Sequence, residues 1–564
     1  MHLGLWAVAL QASIVLAAPL AGPTVELDSA TVTGTSSGRA SSFLGIPFAK
    51  PPTGDRRFRL PESIDPYSTS FSATSMGPAC PQQSVKLPIL TGLPADAVNF
   101  VVNSIYQVVF PDDEDCLTIN IIKPADATPT SDLPVVAWIF GGGFELGSPQ
   151  MYDGTGIVER SISLGQPVIY VSMNYRVTGF GFLAGKEVKA AGVGNLGLQD
   201  QREALRWIQK YIGAFGGDPT KVTMWVQYNA LDFIRSADWN WLISSWGESA
   251  GAISVSLQML ADGGDTKGLF RAAFMQSGSP IPVGDIANGQ KYYDAIVQET
   301  GCTGSSDTLA CLRTVPYAKL KAAIDDSPGI FSYQSLNLAW LPRADGVFLT
   351  DNPQRLVQQG KVAKIPIVSG DCDDEGTLFS LSTLNVTTES QIRTYVKTEF
   401  LSTIQDADLD ILLKAYPQDL VQGSPYDTGF LDALSLQFKR FASFQGDAVF
   451  QAPRRFFLNN LSGKQKMWSF LSKRGKALPF LGAAHGTDIL NIYGGGELAD
   501  YLIRFATNLD PNGPGSASWP EYTTASPSLL TLVDNLLFPI QITQDTYRKG
   551  AMDAVTKITL ENPV

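Results

Sequence analysis

The sequence predicts an α/β layer fold with a large central, mostly parallel sheet flanked by helices. Three short apolar runs end at turns that contain Gly or Asn, as buried strands do. They are Val135–Phe140, Pro167–Met173 and Ile365–Gly370. A helix is predicted over Leu198–Tyr211, because Leu205, Ile208 and Tyr211 are spaced for one helical face. Strands that alternate with helices favour a parallel sheet covered by helices.

The composition indicates one large globular domain and argues against a nucleic-acid binder. The 564 residues contain 42 Lys and Arg against 54 Asp and Glu, a net charge of −12, whereas phosphate contacts need clustered basic residues. With 44% hydrophobic and 17% charged residues, the chain can bury a large core and is not disordered. No linker or repeat interrupts it, so we expect one domain over residues 18–564.

Residues 1–17 are predicted to be a secretory signal peptide. The apolar run Leu3–Leu16 is too short to span a bilayer, and small residues around Ala17 suit cleavage. A membrane anchor or a buried N-terminal helix is the alternative. No other run is long enough for a transmembrane segment, so we expect a secreted, extracellular protein. Asn385 and Asn460 lie in sequons and are candidate glycosylation sites.

The five cysteines suit a disulfide-forming compartment. Proximity in sequence pairs Cys80 with Cys116 and Cys302 with Cys311. Cys372 is left over, as a buried free thiol or a reactive group. No CxxC motif or His-rich cluster appears, so no metal site is predicted.

Only two histidines occur, and His2 falls in the predicted signal peptide. Any imidazole base in the mature chain must therefore be His485, although a lone histidine is more often a surface or satisfied core residue.

Ser249 is the candidate nucleophile, because Gly247–Gly251 matches the Gly-x-Ser-x-Gly elbow in which a serine sits on a strained strand-to-helix turn. Gly34–Gly38 matches the same pattern around Ser36. Ser249 is preferred because an apolar, helix-like stretch follows it, whereas Ser36 lies in a polar stretch.

Gly141–Phe144 follows the first predicted strand and offers unshielded backbone amides. We expect Gly142, Gly143 and Ala250 to form an oxyanion hole, which stabilises the charge that develops during acyl transfer. A nucleotide-binding glycine loop is the alternative, but the spacing fits neither a dinucleotide fingerprint nor a P-loop.

The chain resembles the type-B carboxylesterase/lipase family, which includes cholinesterases and secreted fungal lipases. The matching segments run through nearly the whole mature chain: Phe43–Pro52, Glu114–Asn120, Gly141–Phe144, Asn174–Arg176, Phe215–Pro219 and the serine elbow. The resemblance implies an α/β-hydrolase fold and carboxylic ester hydrolysis without a cofactor.

The resemblance also implies the third catalytic residue. The segment Asp371–Phe379 is similar to the family's acid segment, in which the Glu before Gly-Thr is the acid. This residue is Glu375, which would orient His485 and stabilise its imidazolium form. From the residues alone, Asp371, Asp373 and Asp374 are equally good candidates.

The loop closed by Cys80 and Cys116 is predicted to carry an amphipathic helix over Asp96–Val109. Such a helix could pack permanently on the core of a plain esterase. The loop resembles the disulfide-closed lid of secreted fungal lipases, which covers the serine in water and opens at a lipid surface.

These features together predict a secreted serine lipase that acts on long-chain acyl esters at a lipid–water interface. A sterol esterase or a short-chain carboxylesterase is the alternative substrate class. A non-catalytic adhesion relative is the alternative kind of protein, and the retained Ser249, Glu375 and His485 argue against it. The sequence does not fix the oligomeric state.

One segment departs from the family pattern. Members run from a strand like Lys221–Trp225 straight into the elbow, but here residues 226–246 intervene. We interpret them as an inserted segment, from a retained intron or a gene-model error, that impairs the enzyme. Either Trp241–Trp246 replaces the original strand or Val222–Trp225 keeps its place, and we expect the second.

Overall fold

The computed structural model describes residues 22–84, 111–225 and 249–564. The predictions for the signal peptide, for the Asp96–Val109 lid helix and for the 226–246 insertion lie outside the described residues.

In the described part of the chain, fourteen strands form two sheets. They are β1 (Thr24–Leu27), β2 (Ala30–Thr33), β3 (Thr35–Ser37), β4 (Ala40–Pro47), β5 (Phe71–Ser72), β6 (Thr118–Pro124), β7 (Leu133–Ile139), β8 (Ile169–Met173), β9 (Gly217–Trp225), β10 (Ala272–Gln276), β11 (Ile367–Cys372), β12 (Met467–Lys473), β13 (Ser528–Val533) and β14 (Ile540–Gln544).

Helices cover the sheet and fill the connections between strands. The α-helices are Thr155–Ser163, Thr178–Phe182, Lys186–Ala190, Leu196–Tyr211, Ala250–Gln258, Gln290–Thr300, Thr308–Thr314, Tyr317–Asp325, Pro353–Gln358, Glu389–Tyr395, Asp406–Ala415, Phe438–Gly446, Ala452–Leu461, Ile489–Tyr493, Glu497–Asn508 and Lys549–Glu561. Short 3-10 turns occupy Gly54–Arg56, Pro149–Met151, Ile212–Phe215, Ala261–Gly264, Ile286–Gly289 and Phe379–Thr383. Val396–Phe400 and Asp447–Gln451 are π-helical turns.

The larger sheet has eleven strands in the order β14-β13-β12-β11-β10-β9-β7-β8-β6-β4-β3. The strands from β7 to β13 are parallel, and antiparallel strands extend both edges. β1, β2 and β5 form a separate small sheet. The predicted mostly parallel α/β architecture is confirmed.

The predicted elements are present with shifted ends. The strands begin at Leu133, Ile169 and Ile367, and the helix begins at Leu196. The third strand starts just after Pro366, because proline has no N–H to donate to a neighbouring strand. All its residues are buried, as expected for a strand covered on both faces.

β9 occupies the centre of the sheet, between β7 and β10. Trp225 at its end lies opposite Trp138 of β7 and Phe274 of β10. The segment Val222–Trp225 therefore lies in a central strand of the core. Of the two alternatives considered for this strand, this is the one that we expected.

Both cysteine pairs form disulfides in the structure. The Cα atoms of Cys80 and Cys116 are 5.0 Å apart, and those of Cys302 and Cys311 are 5.7 Å apart. Cys372, on β11, is buried and outside both disulfides, and its thiol donates to Asp488 Oδ1 at 3.3 Å. Within the described ranges, no helix is long and apolar enough to cross a membrane.

A buried ion cluster joins the ends of two strands, β11 and β14, to the helix Ala452–Leu461. Arg454 bonds to Asp371 at 2.7 Å and to Asp545 at 3.1 Å, and all three side chains are fully buried. Burial raises the pKa of Asp371 to about 7 although Arg454 opposes this shift. Burial also raises the pKa of Asp545, but Arg454 and Arg455 outweigh it and lower the value to about 2.

We expect Arg454→Ala to destabilise the fold by roughly 3–5 kcal/mol, because it leaves Asp371 buried without its cation and removes one of the two cations that hold Asp545. Urea unfolding measures the loss. Lys267→Ala is the control, since Lys267 pairs with Asp265 in solvent. Equal unfolding midpoints for the two variants would contradict the prediction.

Candidate active site

Ser249 lies on a strained turn directly before the helix Ala250–Gln258. Its φ of 65° and ψ of −112° are unusual for a residue with a side chain, and such strain costs on the order of 1–3 kcal/mol. Its carbonyl oxygen is also closely approached by Gly278, where a Cβ atom would lie only 2.6 Å away. A strained serine held by its surroundings is the geometry expected of a nucleophile elbow.

The neighbouring strand fixes the position of Ser249. Its amide donates to the carbonyl of Gln276, the last residue of β10, at 3.3 Å. On β9, Trp225 lies opposite Phe274 of β10. A residue that followed Trp225 by three positions in an unbroken strand would donate its amide to the carbonyl of Gln276, as Ser249 does. Ser249 thus sits where it would if Gly247 followed Trp225 directly.

His485 contacts Glu375 through its Nδ1 atom, which is within hydrogen-bond distance of Glu375 Oε2. Glu375 follows β11 and His485 follows β12, so both are at the carboxyl edge of the sheet, as is Ser249. The imidazole is buried between two rings, with centroid distances of 5.0 Å to Phe379 and 4.6 Å to Phe450. These contacts restrict the orientation of the imidazole.

The second oxygen of Glu375 is held by two donors. Oε1 accepts the Ser277 hydroxyl at 2.7 Å and the Cys372 amide at 2.6 Å. Ser277 was not predicted as a site residue. The contact joins residues 98 positions apart, and no sequence pattern marks it.

The three rival acids have other partners. Asp371 bonds to Arg454 at 2.7 Å, and both Asp373 and Asp374 pair with Lys476, at 2.6 and 2.7 Å. Asp374 also accepts the Ala483 amide at 2.8 Å, which ties the acid segment to the loop before His485. Of the four candidates, Glu375 is therefore the one placed to orient the imidazole.

Burial governs the protonation of the pair. It lowers the pKa of His485 to about 3, so the resting imidazole is neutral and can accept a proton. It raises the pKa of Glu375, against the opposing effects of Ser277 and the Cys372 amide. Forming an imidazolium in this buried site is costly, because the charge lies away from water. The adjacent carboxylate of Glu375 offsets this cost.

Two of the three predicted oxyanion residues border a cavity with Ser249. Gly143 and Ala250 line it, whereas Gly142 is not among its described lining residues. Ala250 is the first residue of its helix, so its amide lacks an intrahelical acceptor. Gly142 has φ 108°, and a Cβ atom there would lie 2.4 Å from the carbonyl oxygen of Leu146. Gly142 is therefore required for the turn that presents Gly143.

The cavity, counted together with the open space at its mouth, has a volume of about 550 Å³, and its lining is mostly apolar. Besides Ser249, Gly143 and Ala250, the lining residues include Ile253, Ile281, Leu338, Leu341, Phe400 and Phe450. This lining suits a hydrocarbon chain extending from the serine.

Glu145 is a second residue that the sequence did not single out. It follows the glycine loop and is fully buried, and its Oε2 accepts the amide of Ile330 at 2.8 Å. Ile330 in turn packs over Gly143 and lines the cavity. Burial raises the pKa of Glu145 to about 8, so a neutral carboxyl holds the glycine loop against the cavity wall.

We expect Glu145→Gln to remove a pH dependence of stability. Between about pH 4.5 and about 8 the folded chain keeps a proton on Glu145 that the unfolded chain has lost. The free energy of unfolding of the wild type therefore falls as pH rises, by up to about 1.4 kcal/mol per unit from this group. Urea unfolding across this window measures the slope, with the exposed Glu521→Gln as control. A slope unchanged by Glu145→Gln would refute the assignment.

The remaining predicted positions lie elsewhere. Ser36 is exposed on β3, where its hydroxyl is 2.9 Å from that of Ser41. Asn385 is exposed, whereas Asn460 is half-buried and donates to the carbonyl of Phe456 at 2.8 Å. Among the described residues, no cluster of three or more His, Cys, Asp or Glu side chains could hold a metal ion.

Known proteins match this chain over nearly its whole length. The model of the carboxylesterase family matches residues 21–228 and 242–549. Lipase 4 of Diutina rugosa is 43% identical over 95% of this chain and 96% of its own. A secreted triacylglycerol lipase of Gibberella zeae is 40% identical over 94% of this chain and 90% of its own. The crystal structure of Aspergillus niger EstA superposes with a TM-score of 0.78 at 25% identity, over 96% and 99% of the two chains.

The chain therefore belongs to the carboxylesterase family, and its fold is the α/β-hydrolase fold that the resemblance implied. The family match omits residues 229–241, which lie within the predicted insertion.

Proposed function

We propose that the protein is a secreted serine lipase that hydrolyses long-chain acyl esters through an acyl-enzyme on Ser249. The observation that carries the proposal is the apolar cavity at Ser249, at the sheet edge where the buried His485–Glu375 pair lies. Relatives named as secreted lipases over most of the chain support the substrate class and the extracellular location.

In the proposed mechanism, His485 removes the proton of Ser249 as the hydroxyl oxygen attacks the ester carbonyl. Glu375 stabilises the imidazolium, and the amides of Gly142, Gly143 and Ala250 stabilise the oxyanion. The imidazolium then protonates the departing alcohol. Water, deprotonated by the same imidazole, then attacks the acyl carbonyl, and the imidazolium returns the proton to the Ser249 oxygen as the fatty acid leaves.

A neutral His485 at rest suits this sequence of steps, since only an unprotonated imidazole can act as the base. None of the steps requires a metal or an organic cofactor. The cavity would bind the acyl chain, and a lipid–water interface would supply the substrate.

We expect Ser249→Ala and His485→Ala each to lower kcat by several orders of magnitude, because triad members act as a unit. Glu375→Gln should lower it by about 10³–10⁴ by favouring the wrong imidazole tautomer. Hydrolysis of a soluble short-chain ester measures all three variants. Glu521→Gln is the matched control, since it makes the same chemical change as Glu375→Gln at an exposed carboxylate. Wild-type turnover in Ser249→Ala would overturn the proposal.

The substrate class is tested by comparing emulsified triacylglycerol with a soluble short-chain ester. A lipase should prefer the emulsion, and its rate should rise when the substrate passes its solubility limit. A preference for the soluble ester would favour the short-chain carboxylesterase. Hydrolysis of emulsified sterol ester but not of triacylglycerol would favour the sterol esterase.

We propose further that residues 226–246 are an insertion between strand and nucleophile. Two observations support this. Ser249 already occupies the register of a residue three positions after Trp225, and the family match omits residues 229–241.

Deletion of Val226–Trp246 should therefore preserve the fold and raise kcat on a soluble ester, because Gly247 then follows Trp225 in the register that Ser249 keeps. The measurement compares folded, purified protein with and without the segment. Transcript sequencing shows whether the segment is expressed. A segment that is present in transcripts, with full activity in the protein carrying it, would contradict the proposal.

A further inference from the structure

Two short segments expose an unusual number of large apolar side chains. They contain six of the twelve large apolar residues that are exposed in the described part of the chain. The first segment connects β13 to β14 and exposes Leu536, Leu537 and Phe538, at 102%, 82% and 67%. The second exposes Phe430 and Leu431, at 76% and 73%, and Leu436. Singly exposed apolar residues are ordinary, but a cluster of them marks an interaction surface.

Both segments are attached to the same turn, Gly475–Phe480. The amide of Gly475 donates to the carboxylate of Asp534 at 2.8 Å, and the amide of Phe480 donates to Asp432 at 3.0 Å. One six-residue turn therefore holds both segments, one at each of its ends.

Hydrogen bonds also shape each segment. Asn535 accepts the amides of Leu537 and Phe538, at 2.9 and 3.0 Å. Lys439 donates to the carbonyls of Gly429 and Leu431, at 2.8 and 3.2 Å. The apolar side chains are thus presented by built turns.

The segments lie at the catalytic edge of the sheet. β13 is parallel to β12, so the connection that follows β13 is at the carboxyl edge. The Gly475–Phe480 turn comes between the end of β12 and His485 in the chain. A surface that contacts these segments therefore faces the edge on which the catalytic residues lie.

The charges nearby indicate an uncharged partner. Lys473 pairs with Asp427 at 3.0 Å, Arg474 with Glu497 at 3.0 Å, and Lys476 with Asp373 at 2.6 Å. Lys473, Arg474 and Lys476 are thus each paired with a carboxylate. The whole chain carries a net charge of −12. An anionic surface would be repelled, whereas an uncharged one would cost no ionic contact.

The shape indicates a fluid partner. Side chains as exposed as those of Leu536 and Leu537 protrude and form no groove for a helix or a strand. A lipid surface admits protruding apolar side chains without a complementary pocket.

We propose that Leu536–Phe538 and Phe430–Leu431 form an apolar anchor that inserts into the uncharged surface of an acylglycerol droplet. The anchor holds the catalytic edge of the sheet against its substrate. This inference rests on the proposed lipase function and names the surface through which the enzyme reaches lipid.

Binding is tested without turnover, in a Ser249→Ala background. Flotation with triolein droplets coated with phosphatidylcholine measures the bound fraction. Replacing Leu536, Leu537 and Phe538 with Ser should weaken binding at least tenfold, and adding Phe430→Ser and Leu431→Ser should weaken it further. The double variant Val347→Ser/Ile411→Ser, which removes two exposed apolar side chains outside the anchor, should change binding less than twofold. Equal binding by all variants, or binding abolished by salt, would overturn the proposal.

A second measurement separates this inference from the proposed function. With Ser249 intact, the anchor variants should hydrolyse a soluble short-chain ester at the wild-type rate, which also shows that they fold. If the wild type did not hydrolyse the ester, the proposed function would be wrong. The flotation measurement would still show whether the anchor binds the droplet surface. Size-exclusion chromatography tests a second copy as the partner. A dimer that the anchor variants convert to monomer would assign these segments to self-association and overturn the proposal.

Discussion

The carboxylate of Glu375 is the point on which the catalytic edge depends. It receives Ser277 from the end of β10, the Cys372 amide from β11 and His485 from the segment after β12. One buried side chain thus ties together the ends of three parallel strands. The parallel order brings these ends to one edge, and the hydrogen bonds of Glu375 fix how the loops above them are arranged.

The surrounding charges keep that carboxylate available for the imidazole. Glu375 is one of four acids within five residues, and burial would protonate each of them if it had no partner. Arg454 and Lys476 engage the other three. The cations therefore stabilise the fold and also leave Glu375 free to bind His485.

The sequence predicted much of this arrangement. Apolar runs revealed the buried strands, and the glycine elbow and the scarcity of histidine pointed to Ser249 and His485. Glu375 was assigned only by resemblance, because four neighbouring acids look alike until their partners are known. Ser277 and Glu145 escaped detection because their contacts join residues 98 and 185 positions apart. Such contacts depend on the packing of strands and loops and leave no local pattern.

The bond from Ser249 to Gln276 has a consequence for how this site could be built. The adjacent strand β10 holds the serine in register across the sheet, although residues 226–246 separate Ser249 from β9 in the chain. Two separately made pieces of chain, one ending after Trp225 and the other beginning before Ser249, would have in β10 a shared template for reassembly. Fragment complementation and circular permutation at this junction are therefore compatible with the geometry of the nucleophile.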